Sequence, residues 1–261
     1  MRSLFRIIII CTGLLTSSLA TAQTDWARVF SGAVKMGQAM TITDEQLAAA
    51  VKEEVDEMDR RNKVCSASSK YAQRLKRITR GMTDAEGIRL NFKVYQTTEY
   101  NAFACPDGSV RVFSALMDIL SDEELMGVIG HEIGHVALRH SKKAWRSALL
   151  RSAASDAMGS VSSTWANLSD SYLGDITSVV LSAKHSRYHE TQADDYGYNF
   201  LKKCGKNPWA MGLAFKKLKA LSKQKNSKYQ KLLSAFSSHP DFDERIERMR
   251  IKAKKDGYRC D

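Results

Sequence analysis

His131, Glu132 and His135 stand together as H-E-x-x-H in the segment His131-Glu132-Ile133-Gly134-His135. On a helix, residues four apart lie on one face, so both imidazoles can bind a single zinc ion. Glu132 can then reach a water beside the metal as general base. Average residue usage produces this pattern by chance in roughly one chain in a hundred of this length, so the surroundings decide what it means. Ser121-Asp-Glu-Glu124 is a capping box that opens a helix upstream. Leu125, Val128, Ile129, Ile133 and Val136 supply the apolar stripe of that helix.

A catalytic zinc needs a third protein ligand and an open position for water. His140, His185, His189, Glu190 and His239 have suitable chemistry. His140 follows His135 by five residues, about 500° around a continuing helix, so it is expected off the ligand face, as a surface or C-cap residue. The segment from His189 to Asp195 offers more, because Glu190 and Asp194 are again four apart in an apolar-periodic helix. Glu190 can ligate while Asp194 accepts the N–H of a ligand imidazole and fixes its tautomer. A solvated acidic face is the other reading of the same residues.

These residues need elements to hold them. Thr43-Asp-Glu-Gln46 reads as a second capping box, opening a helix through about Lys63 with Leu47, Val51, Val55 and Met58 on one stripe. A basic helix is expected over about Ser68 to Arg80. Phe92 to Thr97 alternates like a strand, and Asn101–Cys105 and Val110–Phe113 read as strands joined by the turn Pro106-Asp-Gly-Ser109. Further helices are expected through about Lys203, from Asn207-Pro208, and from about Pro240. Helices dominate and a small sheet precedes them, which makes an α+β domain.

The sequence has 261 residues, with 40 basic and 29 acidic side chains for a net charge of +11. Its composition excludes fibrous and mostly disordered classes. The basic surplus reads as solvated lysine on helix faces, since no cluster interleaves arginine with aromatics as a nucleic-acid platform would. No nucleic-acid partner is expected.

Arg2 and Arg6 precede the apolar run Ile7–Leu15, and Ala20-Thr21-Ala22 offers a cleavage site. Residues 1–22 are therefore expected to be a signal peptide cleaved after Ala22. An uncleaved anchor would need about 20 apolar residues. Cys11 lies inside the run and leaves with it. Cys65, Cys105, Cys204 and Cys260 remain, an even count that in an exported chain suggests two disulfides of open connectivity, with Cys260 tethering the C-terminus. The expected organisation is a helical segment over 23–65, the main domain over 66–250 and a tail over 251–261. Residues 147–183, rich in Ala, Ser and Gly, read as a lid, a membrane-leaning hairpin or a surface excursion.

Asn101-Ala-Phe-Ala, the strand pair after it, HEIGH with Arg139-His140, Glu190-x-x-x-Asp194, and Ser238-His239-Pro240 with Arg245 occur in one order. In that order they resemble the zinc metallopeptidases related to the HtpX, BepA and LoiP proteins and the CAAX prenyl proteases. The resemblance covers roughly 66–250 and is strongest to the exported, LoiP-like branch. It implies a mainly helical zincin-like domain with a small antiparallel sheet at the cleft. It also implies one Zn2+ per chain on His131, His135 and Glu190, with Glu132 as base and Asp194 behind the ligands. The strand Asn101, Ala102, Phe103 and Ala104 would pair with an extended substrate. His239, in the shared Ser-His-Pro segment, is a candidate oxyanion stabiliser or a latch on the open metal position. The function so implied is degradation of misfolded or unassembled proteins in the periplasm, with peripheral membrane contact and outer-membrane assembly machinery as partners. A chaperone that binds extended chains in the cleft is the alternative. The retained Glu132 favours the enzyme.

Overall fold

The computed structural model describes residues 41, 43–140, 142–144, 147, 186–222, 239 and 241–261. The expected signal peptide and nearly all of 147–183 lie outside them.

Helix α1 (Asp44–Arg61) starts as its capping box requires: the Gln46 N–H donates to the Thr43 hydroxyl and the Thr43 N–H to the Gln46 side chain. Its apolar stripe of Leu47, Val51 and Val55 is buried against Tyr95, Phe103 and Cys105. Burying each such side chain contributes about 1.5–3 kcal/mol. One carboxylate fixes the dock. Asp59 Oδ1 accepts from Tyr95 Oη at 2.7 Å and Arg111 Nε at 2.8 Å, and Oδ2 accepts from Lys93 at 2.7 Å.

Helix α2 (Lys70–Ile78) is capped by Ser69 and buries Leu75 and Ile78. A hairpin of β1 (Asp84–Ala85) and β2 (Ile88–Arg89) follows, turning through Glu86 and Gly87 at φ 50° and 82°. This is a two-residue turn with both φ positive. Strand β3 (Asn91–Tyr95) runs parallel to β5 (Ser109–Phe113), and β4 (Ala102–Ala104) pairs antiparallel with β5. The order β3-β5-β4 makes the sheet mixed, with β4 at one edge. The turn between β4 and β5 needs Gly108: its φ is 85°, and a Cβ there would lie 2.1 Å from the Arg89 carbonyl oxygen.

Helix α3 (Ser114–Ile119) leads into α4 (Asp122–Ala137), which Ser121 and Glu124 open as a capping box. Then come α5 (Arg187–Lys203), α6 (Trp209–Ser222) and α7 (Phe242–Lys255). The main core joins the sheet to these helices through Val110, Val112, Leu116, Leu125, Ile129, Leu201 and Met211. Two features of α4 and α5 bring them close. A Cβ on Gly134 would lie 2.9 Å from Tyr196 Cβ and 3.2 Å from Ala193 Cα, and one on Gly197 would lie 2.9 Å from the His131 backbone nitrogen. The missing side chains let the helices approach until the face of one meets that of the other.

The expected disulfides are not formed: Cys65, Cys105, Cys204 and Cys260 are all free thiols. Cys105 is buried in the cluster between α1 and the sheet, while Cys204 is an exposed C-cap residue of α5.

Candidate metal centre

Helix α4 presents His131 and His135 on one face, with Nε2 atoms 3.1 Å apart. Glu190, in the first turn of α5, sets Oε1 3.4 Å from His135 Nε2 and Oε2 3.6 Å from His131 Nε2. His239 enters from the segment before α7, with Nδ1 2.9 Å from Glu190 Oε1 and 3.3 Å from His131 Nε2. The four side chains bring ligand atoms within 4.8 Å of one another, so they can hold one metal ion. Glu132 is buried beside them, with Oε1 3.7 Å from His239 Nε2.

Asp194, fully buried, lies one turn along α5 with Oδ1 2.9 Å from His131 Nδ1. Arg245 of α7, which the sequence named without a task, clamps it in a fork: Nε donates to Oδ2 at 2.9 Å and Nη2 to Oδ1 at 2.7 Å. Its Nη1 reaches Glu190 Oε2 at 3.0 Å, and the guanidinium lies 4.2 Å over the Phe215 ring. Glu132, Glu190, Asp194 and Arg245 are all buried. Three carboxylates thus gather around Arg245, with Arg248 Nη1 4.0 Å from Asp194 and the His239 imidazole between Glu190 and Glu132 as further partners.

Asp194 Oδ1 only accepts, so a proton on His131 Nδ1 would serve it and leave the Nε2 lone pair facing His135, although the donor Arg245 Nη2 also stands 3.3 Å from Nδ1. With His135 protonated on Nδ1 as well, the two Nε2 atoms 3.1 Å apart would repel unless something positive joined them. The donor set therefore fits a metal, and Glu190, His131, His135 and His239 are the residues that would hold it.

Burial pushes the Glu190 carboxyl up, but the charge of His239 and the close side-chain contacts with His135 and His239 outweigh it and hold it far down. Burial likewise opposes ionisation of Asp194, and Arg245 wins there. Glu132 lacks such a donor, so burial raises its carboxyl despite the pull of His239 and His131. For His239, burial lowers the imidazole and the Glu190 and Glu132 charges raise it by more. Glu190 and Asp194 stay ionised while Glu132 is the more basic carboxylate, a division suited to ligand and base.

His140 corrects the sequence reading. It is neither exposed nor a C-cap: it is 1% exposed, with Nδ1 3.1 Å from His135 Nδ1 and Nε2 3.1 Å from Gln192 Oε1. Burial, then the neighbouring His189 charge, pushes its imidazole down to about 4. Extrapolating a helix to residue 140 misplaced it because α4 ends at Ala137, and Arg139 turns the chain at φ 60°. The solvated acidic face is also excluded for Glu190 and Asp194, both buried.

Asn101, Ala102, Phe103 and Ala104 lie on and beside β4, which packs against α4. The Phe113 N–H donates to the Asn101 carbonyl and the Cys105 N–H to that of Ser109. Antiparallel alternation then directs the backbone groups of Ala102 and Ala104 away from β5. The Phe103 side chain belongs to the α1 cluster, with its ring 6.3 Å from that of Phe113.

Residues 69–253 match the model of peptidase family M48, a span containing every residue of this cluster. The chain belongs to peptidase family M48. It is 37% identical over 238 residues to the metalloprotease YcaL of Escherichia coli, covering 91% of both chains. To the metalloprotease LoiP of the same organism it is 34% identical over 252 residues, covering 94% of this chain and 98% of that one. A protease HtpX homolog of Methanopyrus kandleri is 28% identical over 185 residues, 59% of this chain and 57% of its own. An M48 metalloprotease fold thus carries a group able to bind a metal on α4, α5 and the segment before α7. Among the described residues, no helix is long and apolar enough to cross a membrane.

Proposed function

We propose that this protein is an exported zinc endopeptidase that degrades misfolded or unassembled proteins of the bacterial envelope. The observation that carries the reading is the convergence of the His131, His135 and Glu190 donor atoms, with Glu132 buried at their side. Two imidazoles and one carboxylate are the donor set of a catalytic zinc.

Zinc held there supplies Lewis acidity, drawing electron density from a scissile carbonyl and acidifying water. Glu132, held basic by burial, takes a proton from the attacking water and passes it to the leaving amine. Asp194 and Arg245 hold His131 and Glu190 in place, so the ligands need not reorganise during the reaction. The outward Ala102 carbonyl and the Ala104 backbone would pair with an extended peptide, the Ala102 N–H being held by Asn101 Oδ1 at 2.9 Å, which sets cleavage depth without demanding a sequence. Such recognition suits unfolded chains.

His239 reads as a latch. Its Nδ1 lies among the donor atoms, so on a bound metal it would compete with water or a carbonyl. Export and a periplasmic location rest on the basic, apolar and small-residue pattern of the first 22 residues.

The test compares the purified protein with Glu132→Gln at equal zinc content, on a reduced, unfolded model protein. Cutting by the parent alone supports the endopeptidase. Equal cutting by both removes Glu132 as base. No cutting by either, with extended chains still bound, would favour the chaperone.

A further inference from the structure

His140 has no part in ligation or in the chemistry above, yet it is buried against a ligand imidazole. The Gln192 amide, as oriented, orders the hydrogen bonds around it. The Gln192 side-chain nitrogen donates to the Tyr188 hydroxyl at 3.2 Å, which turns its carbonyl oxygen toward His140 Nε2 at 3.1 Å. A carbonyl oxygen only accepts, so a neutral His140 carries its proton on Nε2. His140 Nδ1 is then a bare acceptor 3.1 Å from His135 Nδ1. His135 must supply the proton for that bond, which leaves its Nε2 lone pair directed at His131 and Glu190.

We propose that His140, aligned by Gln192, is the positioning residue that fixes the tautomer and ring orientation of His135 for zinc. The two ligand imidazoles are then held by different partners. His131 donates to the carboxylate of Asp194, whereas His135 donates to a neutral imidazole. A neutral acceptor withdraws less of the N–H proton than a carboxylate does, so His135 is the less basic ligand of the two.

The backbone is shaped for this contact. Arg139 adopts a left-handed conformation at φ 60°, which non-glycine residues enter at a cost. That turn folds residue 140 back beneath α4 one turn after His135. The His140 ring also stacks on His189 at 4.1 Å between centroids and 18° between planes, which limits its rotation.

The inference rests on the zinc reading, and the test separates the two. Zinc affinity is measured by competition with a chromophoric chelator for the full protein, His140→Leu and His140→Asn. Leucine and asparagine have similar shape, but only asparagine keeps an acceptor near the Nδ1 position. His140→Leu should bind zinc about 10–100-fold more weakly, and His140→Asn should stay within about threefold of the parent. Leucine at parental affinity, or asparagine as weak as leucine, overturns the inference. A parent chain that takes up no zinc overturns the metal reading as well. Should the leucine variant not fold, two-bond proton–nitrogen correlation on the zinc-loaded parent decides: protons on His140 Nε2 and His135 Nδ1 support the relay, and a proton on His140 Nδ1 refutes it.

Discussion

His239 stands between a proposed metal ligand and the proposed base. Its ring reaches Glu190 through Nδ1 at 2.9 Å and Glu132 through Nε2 at 3.7 Å, so one imidazole touches both a ligand and the base. As a latch it competes with water for the metal, and His239→Ala should raise the rate of cutting an unfolded substrate. A fall of about 100-fold or more would instead make it an oxyanion stabiliser. At this scale the sequence disclosed the donors, because H-E-x-x-H and E-x-x-x-D are helical spacings that place side chains on one face. It disclosed neither the clamp made by Arg245 nor the place of His140. Arg245 meets Asp194 across more than fifty residues of chain, a contact no local period encodes. His140 depends on where α4 stops, and one left-handed residue decides that.

At the scale of elements, the distance between α4 and α5 sets the ligand geometry. Gly197 faces the His131 backbone nitrogen and Met211 Sδ, each 2.9 Å from where a Cβ would stand. Gly197→Ala should therefore lower the unfolding free energy by about 1–3 kcal/mol and weaken zinc binding with it, since His131 moves away from Glu190. Calorimetry and chelator competition read the two effects, and a parental result in both would contradict the close-packed interface. Helices α1 and α4 were legible because capping boxes at Thr43 and Ser121 open them. The β1–β2 hairpin escaped notice because its strands are two residues long, too short for an alternating pattern. The sheet proved mixed because its first strand pairs with the third in chain order, a non-local choice that the turn at Gly108 does not announce.

For the whole molecule, α1 must stay docked for β4 to hold its position, since its apolar stripe backs Phe103 and Cys105. Asp59 pins that dock. Burial raises its carboxyl, yet hydrogen bonds from Arg111, Lys93 and Tyr95 outweigh this and hold it at about 2, below the ordinary 3.8. A depressed carboxyl contributes stability above its unfolded value and loses it as pH falls. The Asp59 contribution of about 2 kcal/mol should thus be complete above about pH 5 and be lost progressively toward about pH 1. In urea unfolding, the stability gap between the parent and Asp59→Asn should narrow by that amount across this window. A constant gap would contradict the assignment.

The central claim is that one zinc ion, held by His131, His135 and Glu190, makes this M48 protein a peptidase. It is tested most directly by titrating zinc into metal-stripped protein while following cleavage of an unfolded substrate. Activity should be absent at the start, rise in proportion to added zinc and stop rising at one equivalent per chain. Cleavage before any zinc is added, or a rise that passes one equivalent without a break, would contradict it.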